Sequence, residues 1–166
     1  ERCVGGPGDR KVIRFGTRIA NVGNQDLELG APSEDGEFWH FDECHSHFHF
    51  EAYASYRLFN EETQELLDIG SKNGFCVLDT AVYSSELAPD GCRGYNCEDQ
   101  GISVGCQDTY GPGLQCQWID VTGVEDGTYS IIVTTNPDRE IPEINYENNS
   151  ARVMVELEGE TVRVVR

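Results

Sequence analysis

The sequence predicts an all-β protein with little helix, in which a β-sandwich-like core supports long, disulfide-stapled loops that carry the active site. Two observations predict this fold class. Short stretches rich in β-branched and aromatic residues are separated by turn residues, and most cysteines lie in a middle section that has no sustained periodicity. A chain of 166 residues can bury its own core, so we expect a single domain over residues 1–166.

Four stretches have the composition of strands. They are residues 11–23 (KVIRFGTRIANVG), residues 50–60 (FEAYASYRLFN), residues 128–137 (TYSIIVTTNP) and residues 150–159 (SARVMVELEG). The last two have the clearest pattern. Residues 60–70 (NEETQELLDIG) are compatible with a short helix or with the return strand of a hairpin.

Residues 70–118 differ from the flanking sequence, with Gly, Asp, Asn and Pro punctuation and five of the seven cysteines. Loops of this length without secondary structure of their own are usually functional.

The cysteines indicate a disulfide framework, because none of them forms a C-x-x-C pair. Such a framework is made in an oxidising compartment, so we expect a secreted or extracellular protein. Because seven is odd, Cys3 is the expected unpaired thiol.

The start of the chain and its apolar runs lead to two expectations, a processed protein and no transmembrane segment. The chain begins at Glu1 rather than Met and has no secretory leader, so we expect a mature or trimmed product. No run approaches the roughly 18 apolar residues of a membrane span, which predicts that there is no transmembrane segment.

The charge balance is strongly acidic, with 30 acidic against 12 basic residues and a formal net charge of −18. Phosphates would be repelled by such a chain, so nucleic acid is excluded as a partner. The charge favours the approach of cationic partners such as amines and basic peptides, while solubility or a salt-adapted source explains it equally well. Only two lysines occur, Lys11 and Lys72.

All four histidines lie between Trp39 and Phe50, in the stretch WHFDECHSHFHF. In a strand, alternate residues point to one face about 6–7 Å apart, which predicts one face that carries His45, His47 and His49. Three neutral imidazoles that leave other coordination positions open suit Cu(II) or Zn(II). The alternative is a run of surface histidines or a hydrogen-bonded cluster.

The neighbours of these three histidines have other expected roles. Ser46, Phe48 and Phe50 are predicted to point to the opposite face of the strand. His40 lies outside the triplet, and we expect it to support the metal site rather than to bind the ion. Cys44 also projects from the opposite face, so a disulfide is its expected role.

The stretch WHFDECHSHFHFEAYASYRL resembles the copper-binding stretch of the lysyl oxidases, which has Trp-His, then Cys-His-x-His-x-His, then an aromatic-rich strand. It departs from that pattern by about two extra residues between His40 and Cys44. The stretches GSKNGFCVLDT, GISVGCQDTYG, CQWIDVTGVEDGTYSIIVTTNP and IPEINYENN follow in the order of that family's catalytic domain. The resemblance runs from about Cys3 to Leu157, and the sequence is identified as a member of the lysyl oxidase family.

The resemblance implies a copper amine oxidase with a self-derived cofactor, lysine tyrosylquinone. The contributing residues would be Lys72 in SKNGFC and Tyr110 in CQDTYG, both expected in loops that must swing together. The implied activity is oxidation of primary amines, such as lysine side chains of basic proteins or peptides, by O2 to aldehydes with release of peroxide and ammonia. Zn(II) is expected to replace Cu(II) in a precursor form. Asp108 is our candidate general base, with an Asx-type turn residue as the alternative.

The family pattern also implies three disulfides and a second metal site. The disulfides are Cys44–Cys97, Cys76–Cys92 and Cys106–Cys116. Calcium binding near IPEINYENN is implied for four residues with oxygen donors, which are Glu143, Asn145, Asn148 and Asn149. The family pattern has an aspartate where this chain has Asn145, and a polar hairpin loop is the alternative.

Two rival functions follow from the same residues. The stretch NPDREIPEINYENNSARVMV also resembles the closing hairpin of extracellular immunoglobulin-like adhesion domains, which would make the chain a non-enzymatic binding module with a structural metal. That reading leaves the motifs around Lys72 and Tyr110 unexplained. Copper redox chemistry without the quinone is the other alternative.

Overall fold

The computed structural model of the protein describes residues 4–43 and 46–165, and the side chains of residue 52 and residues 68–74 lie outside this description. Within the described residues the regular secondary structure is β-strand throughout, without helix, which confirms the predicted all-β class. None of this part of the chain forms a helix long and apolar enough to cross a membrane.

Thirteen strands lie within the described residues. They are β1 (Val12–Arg14), β2 (Thr17–Ala20), β3 (Leu27–Gly30), β4 (Trp39–Asp42), β5 (His47–Asn60), β6 (Glu65–Phe75), β7 (Ala81–Val82), β8 (Gln100–Ile102), β9 (Cys106–Tyr110), β10 (Trp118–Asp120), β11 (Gly127–Thr135), β12 (Ser150–Glu158) and β13 (Thr161–Val164).

The largest sheet is built around β5, which is 14 residues long. Along one edge, β5 pairs first with β4 and then with β11, and the order continues through β12 to β13. Strand β6 pairs antiparallel with the other edge of β5. The two clearest predicted strands are therefore confirmed as β11 and β12.

A tight turn after Asn60 decides the ambiguous stretch at residues 60–70 in favour of a hairpin. The Asn60 side-chain oxygen accepts hydrogen bonds from the N–H groups of Glu62 and Thr63, at 2.8 and 3.0 Å. Gln64 then adopts a positive φ of 59°, which reverses the chain into β6. The short-helix alternative is wrong, because these local hydrogen bonds form a turn that returns the backbone along β5.

Smaller sheets pack against the large one. They pair β2 with β9 and β9 with β7, β1 with β10, and β3 with β8. The buried core contains Tyr53, Tyr56 and Leu58 from β5 together with Ile102 of β8 and Ile119 of β10. Side chains from the large sheet and from the small sheets thus meet in one core, as a β-sandwich-like arrangement requires.

The disulfides differ from those implied by the family resemblance. The structure joins Cys76 to Cys97 and Cys92 to Cys106, with Cα–Cα distances of 5.2 and 5.7 Å. Cys116 is also disulfide-bonded. The predicted pairs Cys44–Cys97, Cys76–Cys92 and Cys106–Cys116 are therefore wrong, while Cys3 and Cys44 themselves lie outside the described residues.

Backbone pairing explains why these cysteines meet. The Asp79 N–H bonds to the Tyr95 carbonyl and the Gly101 N–H bonds to the Val77 carbonyl, at 3.4 and 3.0 Å, so the segment around Cys97 runs beside the one that follows Cys76. Strand β7 pairs with the start of β9, which brings the segment leading to Cys92 next to Cys106. Chain order alone does not reveal these contacts.

The section predicted as long loops contains short strands, and the two proposed cofactor residues lie in strands rather than in loops. Lys72 is part of β6, with its backbone opposite Ser55, and Tyr110 is the last residue of β9, opposite Thr17. The expectation that both sit in loops is wrong because strand pairing extends further than the composition indicates. Strands of two to five residues, such as β7, β8 and β9, are too short to show a period.

Candidate active site

The histidine stretch forms a hairpin in which β4 pairs antiparallel with the start of β5. The turn closes with a hydrogen bond from the Ser46 N–H to the Asp42 carbonyl at 2.8 Å, and Ser46 has a φ of 56°. Strand β5 begins only at His47, so Ser46 belongs to the turn. The prediction that Ser46 points to the opposite face of the strand is therefore wrong. His45 lies outside the described residues, and the alternating geometry holds for His47 and His49.

The two described histidines of the triplet converge. Their Nε2 atoms lie 3.2 Å apart and their ring centroids 5.0 Å apart. Two nitrogens that are each about 2.0–2.1 Å from one metal ion, at an angle of roughly 90–110°, are about 2.8–3.4 Å apart. The pair His47 and His49 therefore has the spacing of two ligands of one ion. The described residues hold no group of three or more His, Cys, Asp or Glu side chains in a metal-binding arrangement, and the third predicted ligand, His45, is not among them.

Strand β4 adds a carboxylate that the sequence interpretation missed. Asp42 pairs with His47 across the hairpin, and its Oδ2 atom is 4.0 Å from Nδ1 of the buried His49. A carboxylate on the far ring nitrogen of a histidine orients the ring and favours the tautomer whose Nε2 can bind a metal. The signal was available, because a hairpin through HFDECHSHFH places this aspartate opposite a histidine. His40 is exposed, with its backbone opposite His49.

Tyr110 lies close to the histidine pair, with one aromatic ring between them. Its side chain is buried and stacks on Phe75, with ring centroids 4.3 Å apart and an interplanar angle of 27°. The Phe75 ring is in turn 6.2 Å from the ring of His49. The chain thus brings two of the predicted metal ligands, the buried His49 and the half-buried His47, close to the predicted cofactor tyrosine.

Asp108 is the charged centre of this cluster. It is fully buried, and its Oδ2 atom lies within hydrogen-bond distance of the Tyr110 hydroxyl and, at 3.5 Å, of the Tyr53 hydroxyl. Burial raises the pKa of the Asp108 carboxyl to about 7, and the hydrogen bond from Tyr110 only partly offsets this. Burial also raises the pKa of the Tyr110 phenol well above its usual value, and the nearby Asp108 carboxylate adds to that shift.

Tyr53 was not identified from the sequence as a residue of the site. Its only signal was membership of the aromatic-rich strand that follows the histidines, which equally describes core residues such as Tyr56. Both tyrosines are buried side chains of β5. Only Tyr53 forms a hydrogen bond with the Asp108 carboxyl group, while the Tyr56 hydroxyl bonds to Gln117 at 3.1 Å. The distinction depends on strand pairing and is invisible in the sequence.

Tyr110 of β9 contacts the chain just beyond the end of β6, the strand that contains Lys72. The Tyr110 hydroxyl contacts the carbonyl of Cys76 at 2.9 Å. Cys76 follows Lys72 by four residues, which is about 13 Å along an extended strand. The Lys72 side chain lies outside the described part of the structure.

The predicted calcium residues form a hydrogen-bonded loop between β11 and β12. Oε1 of Glu143 accepts hydrogen bonds from the amide groups of Asn136 and Asn149, at 2.6 and 2.7 Å. The Asn145 side-chain oxygen accepts the Glu147 N–H at 2.9 Å. Amide N–H groups rather than additional oxygens therefore surround the Glu143 carboxylate, which favours the polar-loop alternative. Calcium binding by Glu143, Asn145, Asn148 and Asn149 stays a prediction.

Comparison with known proteins supplies the family. The lysyl oxidase family model matches residues 6–166, nearly the whole chain. The chain belongs to the lysyl oxidase family. This confirms the resemblance found in the motifs around the histidines, Lys72 and Tyr110.

Several lysyl oxidase relatives resemble the chain over most of its length. Human protein-lysine 6-oxidase is 35% identical over 151 residues, which are 90% of this chain and 35% of the relative. The pig protein-lysine 6-oxidase is 34% identical over 151 residues, covering 90% of this chain and 58% of the relative. Human lysyl oxidase homolog 3 is 32% identical over 161 residues, covering 95% of this chain and 20% of the relative. The chain therefore corresponds to a part of these longer lysyl oxidases.

Proposed function

We propose that this member of the lysyl oxidase family is a copper-dependent amine oxidase that uses O2 to convert primary amines to aldehydes, with release of peroxide and ammonia. Its substrates would be lysine side chains of basic proteins or peptides, or similar primary amines. The observation that carries the proposal is the cluster in which Phe75 contacts both the Tyr110 ring and the ring of His49, which converges with His47. The relatives named protein-lysine 6-oxidase support the same reaction class.

Copper would be held by His45, His47 and His49. The 3.2 Å separation between the Nε2 atoms of the two described ligands supports this assignment. Imidazole nitrogens suit both Cu(II) and Zn(II), so zinc would fill the same site in a precursor form without supplying redox chemistry. When bound, copper and the lysine tyrosylquinone made from Lys72 and Tyr110 supply the electron sink that amine oxidation requires.

The residues of the chain itself would bind, shield and move protons around this centre. Asp108 is proposed as the proton acceptor, since its carboxylate contacts the Tyr110 hydroxyl and its pKa of about 7 matches a base that works near neutral pH. Phe75 covers one face of the Tyr110 ring and excludes water from it. Asp42 would orient the imidazole of His49.

The charge and the disulfides support the proposed substrate and location. A formal charge of −18 attracts cationic amines and basic peptides toward the protein, an effect that salt screens beyond about 10 Å. The Cys76–Cys97 and Cys92–Cys106 disulfides suit an oxidising compartment, which supports an extracellular location.

The test is peroxide release from a simple primary amine by the full chain loaded with copper in air. Lys72→Arg and Tyr110→Phe are expected to abolish peroxide release and phenylhydrazine labelling while copper binding persists, because neither residue is a proposed ligand. The two lysines of the chain provide a matched control, since Lys11→Arg keeps charge at a site beside Asp126 and is expected to leave activity intact. Undiminished turnover by Lys72→Arg would replace the quinone with copper chemistry alone. No turnover by the copper-loaded wild type would favour a binding module.

A further inference from the structure

The Tyr110 hydroxyl contacts more acceptors than it has hydrogens. Its oxygen lies 2.9 Å from the carbonyl of Cys76 and also contacts Oδ2 of Asp108. A phenol has one hydrogen, and a carbonyl oxygen only accepts. An ionised Asp108 would also only accept, so one of the two contacts would join two oxygens without a hydrogen between them. Such an arrangement is unfavourable where no water can compensate, and all three groups are buried.

We propose that Asp108 is a neutral carboxylic acid in the resting protein, which donates the proton on Oδ2 to the Tyr110 oxygen while Tyr110 donates to the Cys76 carbonyl. Every hydrogen then has one acceptor, and both contacts become hydrogen bonds. The other carboxyl oxygen, Oδ1, has no well-formed hydrogen bond from any described residue. A bare oxygen is tolerable on a neutral acid but costly on a buried carboxylate.

The groups around the carboxyl favour the neutral form. The titratable side chains that act on Asp108 are three phenols, Tyr53 and Tyr56 from β5 and Tyr110 from β9, so no cation among the described side chains compensates a negative charge. The backbone N–H groups of Leu78 and Thr109 favour the carboxylate, without making a well-formed hydrogen bond to Oδ1. Burial outweighs these contributions and raises the pKa of Asp108 to about 7.

Tyr53 is then a positioning residue that tunes Asp108. Its hydroxyl donates a weak hydrogen bond to Oδ2 at 3.5 Å, which stabilises the carboxylate more than the acid. Removal of that hydroxyl is therefore expected to raise the pKa of Asp108 further. The hydrogen bond of Tyr53 goes to Asp108 rather than to the Tyr110 hydroxyl, although the Tyr53 phenol also acts on Tyr110 electrostatically and helps to raise its pKa.

For the proposed function, on which this step rests, the consequence concerns cofactor formation. Tyr110 has to lose its phenol proton, and Asp108 can take that proton only after it has released its own to solvent. Cofactor formation in the copper-loaded chain is therefore expected to accelerate as the pH rises through about 7. Below that pH, no other described side chain of the cluster is a base that could take the Tyr110 proton away, because the Cys76 carbonyl only accepts a hydrogen bond.

The test measures the protonation state directly, in the full chain and without amine turnover. Carbon-13 NMR of the labelled aspartate carboxyl groups would be followed from about pH 4 to about pH 9. One aspartate is expected to titrate near 7 and to vanish in Asp108→Asn, whose amide keeps a donor for Tyr110. Tyr53→Phe is expected to move that midpoint upward. The matched control is Tyr129→Phe, which removes another buried phenol, bonded to the Glu125 carbonyl, and should leave the midpoint unchanged.

The outcomes separate this inference from the proposed function. If no aspartate titrates near pH 7, Asp108 is ionised in the resting protein and the inference is overturned whatever the enzyme does. If Asp108→Asn does not fold, a shift in Tyr53→Phe that is absent from Tyr129→Phe still assigns the signal, and an unmoved midpoint removes the role of Tyr53. A midpoint near 7 in a chain that oxidises no amine would leave the inference standing and overturn the function.

Discussion

Phe75 stacks on Tyr110 with ring centroids 4.3 Å apart, and the Phe75 ring also lies 6.2 Å from the ring of His49. Phe75 closes β6, and Tyr110 closes β9, so this pair joins the large sheet to a small one. The same contact therefore holds two layers of the protein together and sets the distance between the proposed metal ligands and the proposed cofactor tyrosine.

Phe75→Ala is expected to destabilise the fold by about 3–5 kcal/mol, because it opens a cavity between the two layers. Phe75→Leu should cost less, about 1–2 kcal/mol, keep copper binding, and slow cofactor formation, since Tyr110 would no longer be held at a fixed distance. Chemical unfolding and copper titration check these outcomes. Phe59→Leu is the control, as Phe59 lies on β5 under Arg152, away from the cluster. Equal cofactor formation in both leucine variants would contradict the positioning role of Phe75.

The histidines should differ sharply in their effect on metal affinity. His47→Ala and His49→Ala are each expected to abolish tight copper binding, whereas His40→Ala should retain it, because His40 is exposed on the neighbouring strand. Asp42→Asn should weaken binding by about 10–100-fold through the loss of its effect on His49. Calorimetric titration with Cu(II) and Zn(II) gives the affinities. Loss of binding in His40→Ala equal to that in His47→Ala would show that the metal lies elsewhere on the hairpin.

Peptide mapping without reduction is expected to recover Cys76 joined to Cys97 and Cys92 joined to Cys106. Replacing either pair with serine should lower the free energy of unfolding by about 2–4 kcal/mol, because each bridge restricts the unfolded chain. The two costs should be similar, since the loops that the bridges close differ little in length. Equilibrium unfolding of the two double variants measures this. A Cys76–Cys92 peptide from the native protein would restore the pairing implied by the family resemblance and contradict the structure.

Asp108 predicts a characteristic dependence of stability on pH. Its folded-state pKa of about 7 lies above the unfolded value of about 3.9, so the buried acid contributes stability that is fully present below about pH 4 and lost as the pH rises through about 7. Because one pKa unit corresponds to about 1.4 kcal/mol, the wild type should lose about 4 kcal/mol of stability relative to Asp108→Asn between these limits. Urea unfolding of both proteins across that range tests this. A difference that stays constant with pH would mean that Asp108 does not titrate there.

Local patterns were enough for part of the fold and part of the site. Stretches rich in β-branched residues predicted β11 and β12, and the spacing of His47 and His49 predicted that two imidazoles share one face, since both features depend only on neighbours in the chain. The start of β6 was one alternative for residues 60–70, but its extension through Lys72 was not anticipated, because the pairing with Ser55 depends on a partner strand and not on local composition.

Relationships between distant segments could not be predicted. The contact of Tyr53 with Asp108 joins residues 55 positions apart, and the proton count at Tyr110 depends on the Cys76 carbonyl, 34 positions away. The disulfide pattern failed for the same reason, since the segments that carry Cys92 and Cys97 turn toward different strands. A motif can therefore identify a candidate reacting residue such as Tyr110. The groups that set the pKa values of Tyr110 and Asp108 come from distant parts of the sequence.

The two disulfides interleave along the chain, since Cys92 lies between Cys76 and Cys97, and Cys97 lies between Cys92 and Cys106. Cleavage of any one peptide bond between Cys76 and Cys106 therefore leaves both fragments covalently joined. A protease that nicks the exposed turns of this segment would change the mass of the protein only by one water. Proteolysis at a single position between Cys76 and Cys106 would then not release the strand that carries Tyr110 from the hairpin that carries the histidines.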